Sequence, residues 1–441
     1  MRSTESQETT RTELSEIAWL SAQDPNREFH SLIHHFNVES LRSCFDRLDG
    51  KKAIGVDRVS KDEYGKNLRM NLEDLVARMR RMAYRPQAVR EVLIPKDGKP
   101  GTIRPLGISA FEDKLVQKRM QELLESIYEP LFLDCSYAFR PKRGCHDAIK
   151  ALRTYLDKEE VETVLDIDLA DLANFFGSID HQMMLDTLRM KIKDKKFLRY
   201  VSRLLKAGIL TKGELRVNDE GTVQGSCTSP ALANIVAHYV IDTWLEETVA
   251  PLMNGPIRVF RYVDDLVVCF RFQKDANRVK EVLGKRLEKY KLKLNEDKTK
   301  MVSFSKSAMQ QGIKQESFNF LGFTFYLGRS KRGAVIPKLK TEGRRFRSKL
   351  KKVNDWARKM RNKAPLKKVW KAFCSKLRGH VQYYGVSFNS TRVSSFLFRA
   401  VRIMFQWLNR RSQRRSFNWA TFELFLKRHP VPPVRVYHKL F

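Results

Sequence analysis

Apolar positions along this chain change their period several times, and each change marks an element. From Val38 to Tyr84 the spacing is helical, with Leu72, Leu75, Val76 and Met79 on one predicted face. Residues 1 to about 30 are polar and without strong period, which predicts a frayed or weakly helical leader. Val89 to Pro95 alternates like a strand, and Lys96-Asp97-Gly98-Lys99-Pro100-Gly101 has hairpin-loop chemistry. After Arg104-Pro105-Leu106-Gly107-Ile108, the positions Leu115, Val116, Met120, Leu123 and Leu124 predict a helix ending before Pro130. A strand-like run from Val161 to Leu172 carries Asp166, Asp168 and Asp171, and a helical stretch from Phe175 to His181 follows it. His181 alone reads as a helix-start hydrogen-bonder. Gly221 to Pro230 is a small-residue loop, and Ser229-Pro230 predicts a helix start by capping plus a first-turn proline. Ala231 to Trp244 is apolar nearly all round, the pattern of a buried helix.

The chain's most distinctive stretch is Phe260-Arg261-Tyr262-Val263-Asp264-Asp265-Leu266-Val267-Val268-Cys269-Phe270. Two short apolar β-runs meet there at an acidic pair, which predicts a hairpin buried on both sides. A helix follows with its tail at Leu292 to Thr299, then strands at Met301 to Phe304 and Phe318 to Phe325. The second strand contains Gly322, where another backbone can approach. Composition shifts at Gly328: between Arg329 and Lys363 there are fifteen basic residues and two acidic ones. Phe346, Leu350, Val353 and Trp356 interleave with them at helical spacing. Leu366, Val369, Trp370, Phe373, Leu377, Val381 and Tyr384 mark a second amphipathic helix.

Charge narrows the partners. The 84 basic and 50 acidic residues leave a formal charge of +34, which points to a polyanion, nucleic acid before anionic membrane. No apolar run is long enough to span a bilayer, and the N-terminus has no signal-peptide core, so the expectation is a cytoplasmic, bacterial protein without membrane partners. Six cysteines stand singly with no Cys-x-x-Cys pair, which predicts reduced thiols and no zinc site.

The adjacent carboxylates of Asp264 and Asp265 carry the chemistry. At the end of buried strands they repel each other and lose solvation, unless a basic partner or a divalent ion relieves the cost. Hard oxygens at a strand turn suit Mg²⁺. A second acid-bearing strand, ending near Asp168 or Asp171, lies about a hundred residues earlier, and the two together can hold two metal ions as phosphoryl transfer to a 3′-hydroxyl requires. Ser136 to Gly144 is a basic loop that reads either as a triphosphate or template contact or as a solvated turn.

Tyr262-Val263-Asp264-Asp265 resembles the Y-x-D-D motif of reverse transcriptases, and the surrounding segments resemble, in order and over nearly the whole chain, the reverse transcriptase/maturase proteins of bacterial group II introns. Ile94-Pro95-Lys96 with Arg104 to Ile108 is similar to the first fingers motif, and Ala138-Phe139-Arg140-Pro141 to the second. Gly221 to Asn234 resembles the loop beneath primer–template and nucleotide, and Asn295 to Thr299 the segment whose lysine sits near the pyrophosphate. Phe320-Leu321-Gly322-Phe323 resembles the primer-grip hairpin, while Leu377 to Gly385 and Trp407 to Arg411 look like the thumb or maturase region.

The resemblance implies an α+β right-hand polymerase, with fingers and an antiparallel palm sheet at 41–327, a helical thumb/maturase domain at 328–441 and a leader at 1–40. It implies RNA-directed DNA synthesis with two Mg²⁺ ions, or Mn²⁺, held by Asp264, Asp265 and either Asp171 or Asp168. Lys298 would serve the leaving pyrophosphate, and Arg140, Phe176, Gln224 and Lys114 the nucleotide. Arg344, Arg345, Lys349, Lys352, Arg378, Arg410 and Arg411 would bind RNA template and a DNA or RNA primer, together with the intron's own RNA where there is one. Other roles open to such a chain are phage defence, DNA repair, or splicing with weak synthesis. The sequence departs from the family pattern in one notable place. Asp168-Leu169-Ala170 and Asp171-Leu172-Ala173 look like a tandem duplication; the strand lead-in favours Asp168, while counting back from Phe175-Phe176 favours Asp171, to which the resemblance leans because the Phe176 ring must reach the sugar. Gly177 stands where an aspartate is common and Val223 where a proline is frequent. No Cys/His endonuclease module follows the thumb-like region, which implies priming from a nick or a replication fork.

Overall fold

The computed structural model describes residues 2–95, 103–168, 179–211, 214–216, 225–292, 294–295, 299–411 and 416–441. Its strands are β1 Val89–Pro95, β2 Ile103–Ile108, β3 Thr163–Asp168, β4 Ile209–Thr211, β5 Glu214–Arg216, β6 Ile257–Tyr262, β7 Asp265–Phe270, β8 Lys300–Ser303, β9 Ser317–Phe320, β10 Phe323–Arg329 and β11 Val335–Thr341. The chain divides into two compact units, one of residues 1–96, 101–144 and 167–300, the other of 97–100, 145–166 and 301–441. β3 crosses the division, giving its last two residues to the first unit.

In the first unit, β1 and β2 form the predicted hairpin, with Arg90 opposite Ile108, and β4 joins β1 in parallel with β5 at its edge. The helix Phe111–Tyr128 is the spine of this unit: Leu115, Val116, Met120, Leu123, Leu124 and Ile127 are wholly buried, the stripe that their spacing predicts. Of the two alternatives for the polar leader, frayed or weakly helical, the helical one holds. The leader forms the helix Arg2–Gln23 and is tied to the spine by polar atoms: Ser21 Oγ donates to the Ile127 carbonyl at 2.6 Å, and the Glu13 carboxylate meets the buried Arg119 guanidinium at 3.1 Å. Such pairing buries polar groups with their partners and leaves no apolar period in the sequence. The buried helix predicted over 231–244 also differs in detail. It is α-helical over Ser229–Ala237 and continues as π-helical turns at His238–Asp242 and Trp244–Val249. Thr228 occupies its N-cap without a side-chain capping bond, so Pro230 in the first turn is the predicted start signal that survives.

In the second unit, β9, β10 and β11 form an antiparallel sheet, and the Thr163–Asp166 part of β3 lies beside β8. The helices Gly343–Met360, Leu366–Tyr384, Ser390–Leu408 and Trp419–Arg428 follow. Phe318 stacks on Phe325, and Phe346 meets Phe396 edge-on. The last residues return to the sheet-proximal helices: the Tyr437 N–H donates to the Gly385 carbonyl at 2.7 Å, and Phe441 packs against Phe388. Antiparallel sheets with a helical C-terminal region make this an α+β fold. Among the described residues, no helix is long and apolar enough to cross a membrane.

Candidate active site

β6 and β7 form the predicted hairpin, in register from Ile257 opposite Phe270 to Tyr262 opposite Asp265. Val263 and Asp264 are its two turn residues, and Val263 has φ 62°. A β-branched side chain is strained there, at a cost of about 1–3 kcal/mol that the surroundings must hold in place. Leu266, Val267, Val268, Cys269 and Phe270 are wholly buried, whereas Asp264 and Asp265 are half-exposed at the tip. The other neighbour of β7 is β3, the strand that ends at Asp168. Half-exposed adjacent carboxylates on rigid, buried strands are a donor set that fits a hard divalent cation. The Asp168 side chain, Asp171, Phe176, Gln224 and Lys298 lie outside the described residues. Among those described, no group of three acidic, His or Cys side chains gathers as a metal site.

Behind the turn lies a network that sequence reading passed over. Arg261 is wholly buried, and its fork meets the Asp242 carboxylate through Nε at 2.7 Å and Nη2 at 2.6 Å. Burial lowers the pKa of this guanidinium, but the charge and bonds of Asp242 outweigh that and raise it overall. Nη2 also donates to Ser136 Oγ at 2.7 Å, and Nη1 to Asn234 Oδ1 at 3.1 Å and the Val263 carbonyl at 3.4 Å. A signal was present in the sequence: Arg261 in an apolar strand run and Asp242 in an apolar helix, opposite charges that each need a partner when buried.

Several other predicted residues have defined local partners. Gly225 takes φ 114°, and a Cβ there would lie 2.4 Å from the Gly107 carbonyl, so the small-residue loop and the Arg-Pro-Leu-Gly-Ile strand touch backbone to backbone. Lys114 Nζ donates to the Ala53 carbonyl at 2.7 Å, and burial pulls its pKa down. His181 opens the helix His181–Arg189 behind Asp180, whose carboxylate caps the Met183 N–H at 2.8 Å. Lys291 bonds to Asp180 at 2.8 Å, and that hydrogen bond holds the carboxyl below its usual range.

Arg140, expected at the nucleotide, has its guanidinium turned into its own loop, donating to Glu129 at 2.9 Å and to the carbonyls of Phe132, Leu133 and Ser136. With the side chain 4% exposed, it braces the loop at 132–140 from inside. Of the basic residues expected to meet nucleic acid, Arg344, Arg345, Lys352, Arg378 and Arg410 are exposed. Lys349 is half-buried over the Tyr384 ring at 4.9 Å, and Arg411 donates to the Ala364 carbonyl at 3.2 Å. Arg345, Lys349 and Lys352 share one helix face by their spacing.

Residues 94–325 match the family model described as reverse transcriptase (RNA-dependent DNA polymerase). The chain belongs to the reverse transcriptase family. It resembles the group II intron-encoded branch of that family: the group II intron-encoded protein LtrA of Lactococcus lactis subsp. cremoris is 38% identical over 167 residues, 38% of this chain. That match spans 27% of LtrA, about a quarter of its length. Protein YkfC of Escherichia coli is 30% identical over 356 residues, covering 72% of this chain and 89% of YkfC. A 91 kDa protein in the cob intron of Schizosaccharomyces pombe is 38% identical over 171 residues, 38% of this chain and 20% of that protein. Reverse transcriptases work on a nucleic-acid template and primer with divalent metal ions.

Proposed function

We propose that this chain is an RNA-directed DNA polymerase, adding deoxynucleotides to a primer 3′-hydroxyl on an RNA template. One observation carries the reading: two half-exposed carboxylates at the tip of a buried hairpin, beside the strand that ends at Asp168. Asp264, Asp265 and an aspartate at or after the end of β3 (Asp168 or Asp171) would hold two Mg²⁺ ions, or Mn²⁺, which when bound lower the pKa of the primer hydroxyl and neutralise the leaving pyrophosphate. In this reading Lys298 adds positive charge at the pyrophosphate, Phe176 closes the sugar side against a 2′-hydroxyl, and Gln224 and Lys114 line the nucleotide. Arg140 keeps the nucleotide loop in shape from within. Residues 41–327 serve as fingers and palm, and 328–441 as a thumb/maturase region.

The exposed arginines and lysines of helix Gly343–Met360, with Arg378 and Arg410, bind the template–primer backbone and, where the gene lies in an intron, its RNA. Relatives described as intron-encoded, together with the +34 charge, support that second role. Primer extension on an RNA template, run beside Asp264→Asn, tests the polymerase. Product from the native chain that disappears in the variant, with primer–template affinity intact, is the expected result. Synthesis retained by the variant sinks the assignment, and no product from a chain that still binds RNA tightly favours splicing alone.

A further inference from the structure

One buried residue, Arg261, bonds both to the backbone of the acidic turn and to the loop at 135–137. Arg261 lies three positions before Asp264, and its main chain is stitched to the nucleotide loop: its N–H donates to the Cys135 carbonyl at 2.8 Å, and its carbonyl accepts from the Tyr137 N–H at 3.0 Å. Its side chain reaches three further places at once. The Asp242 carboxylate anchors it to the π-helical turn His238–Asp242, Ser136 Oγ ties it again to the loop, and Nη1 bridges Asn234 to the carbonyl of the strained Val263. Asn234 completes the circuit, donating to the Ala138 carbonyl at 2.7 Å. Every one of these groups is buried apart from Val263, so the bonds act in a low dielectric and move little.

We propose that Arg261, clamped by Asp242, is the positioning residue that sets the acidic turn and the 135–140 nucleotide loop in fixed relation to each other, and thereby the geometry in which the Asp264–Asp265 pair takes up divalent metal. Val263 would otherwise leave the left-handed region, because a β-branched residue avoids it and the adjacent carboxylates repel. A lysine cannot replace the arginine: its single ammonium cannot reach Asp242, Asn234, Ser136 and Val263 together. The proposal rests on the polymerase reading above.

The deciding variant is the double substitution Arg261→Met with Asp242→Leu. It removes both charges together, so no lone buried charge is left to unfold the protein. The single Arg261→Lys keeps a cation opposite Asp242 and is the second probe. Melting temperature, primer–template affinity, kcat and KM for dNTP, and Mn²⁺ binding followed by electron paramagnetic resonance are measured for each, with Asp264→Asn as the metal-site control. The expected result is a folded double variant with native primer–template affinity, a kcat lowered roughly a hundredfold at little-changed KM, and Mn²⁺ binding weakened roughly tenfold. Arg261→Lys should fall in the same direction. Adding Val263→Gly, which takes the left-handed backbone without strain, should restore part of both losses. A folded double variant with native kcat and native Mn²⁺ affinity overturns the proposal and leaves the network a packing device. If the double variant unfolds, Arg261→Lys with native Mn²⁺ affinity overturns it equally. Should the native chain make no product at all, the polymerase reading fails by that result, while the Mn²⁺ comparison still decides the role of Arg261.

Discussion

The Tyr383 hydroxyl donates to the Leu321 carbonyl at 2.8 Å, so the helix Leu366–Tyr384 holds the tip of the β9–β10 hairpin. Leu321 and Gly322 are the turn residues, with φ 49° and 80°, and Phe323 stacks on the same tyrosine. This is the hairpin that resembles a primer grip, and the Tyr383 hydroxyl ties its turn to a helix 62 residues on, beside the bond from the Glu342 N–H to the Gly322 carbonyl.

Removing that hydroxyl should loosen the hairpin without unfolding the unit. Tyr383→Phe is expected to cost about 1 kcal/mol of stability and to raise KM for primer–template more than it lowers kcat. Gly322→Ala should be worse, because a Cβ would sit 3.2 Å from both Arg345 Cδ and Tyr384 Oη at a φ that alanine avoids. Chemical unfolding and extension kinetics of the two variants check both statements; a Tyr383→Phe enzyme with unchanged KM removes the primer-grip role.

In the proposed two-metal site Asp168 and Asp171 are alternatives for the third carboxylate, and variants of each distinguish them. β3 keeps strand geometry up to Asp168, beside β7, so its backbone there is pinned by the sheet. Asp168→Asn is therefore expected to lower extension by roughly two orders of magnitude or more, and Asp171→Asn to leave most of it. The opposite pattern in primer extension assigns the metal to Asp171, the residue that the spacing to Phe176 favours.

Acid should weaken both units through buried imidazoles. His380 stacks on Phe396 at 3.5 Å, and neither ring nitrogen has a hydrogen-bond partner among the described residues. Burial, with the Lys349 charge adding to it, pushes its pKa down to about 3, and burial pushes His238 in the other unit down to about 4. Each ring stays neutral in the folded state while the unfolded chain takes up a proton near pH 6.5, so stability is full above that pH and is lost as pH falls toward the folded values. Urea unfolding at pH 7.5 and 4.5 should differ by about 2 kcal/mol per ring, and His380→Phe should remove its share. A variant with an undiminished acid loss contradicts this account.

The basic face of helix Gly343–Met360 should act through phosphates and without regard to sequence. Arg345→Gln and Lys352→Gln, both exposed, are each expected to lower the slope of log affinity against log salt by roughly one. Binding titrations on two unrelated RNA duplexes check this, and a loss confined to one of them points to base readout.

Much of this protein is legible in the order of its residues. The acidic hairpin, the spine helix and the succession of motifs follow from period and turn chemistry, because strands and helices that bury a face must repeat apolar residues at 2.0 or 3.6. The N-terminal helix is not legible in that way, since Ser21 and Glu13 dock it through polar atoms that carry no such period. The Arg140 expectation came from a motif, which names a residue and not the direction its side chain takes; only the fold turned that guanidinium toward Leu133 and Ser136.

By itself, then, the sequence carried the acid pair and the charge of +34 through local periodicity and composition, and the fold class through its resemblance to reverse transcriptases. The tertiary structure alone decided which distant groups meet. Arg261 finds Asp242, Ser136 and Asn234 across 19, 125 and 27 positions, and only a folded core makes those four neighbours. A buried charge must have its partner close in space, and nothing in chemistry requires that partner to be close in the chain.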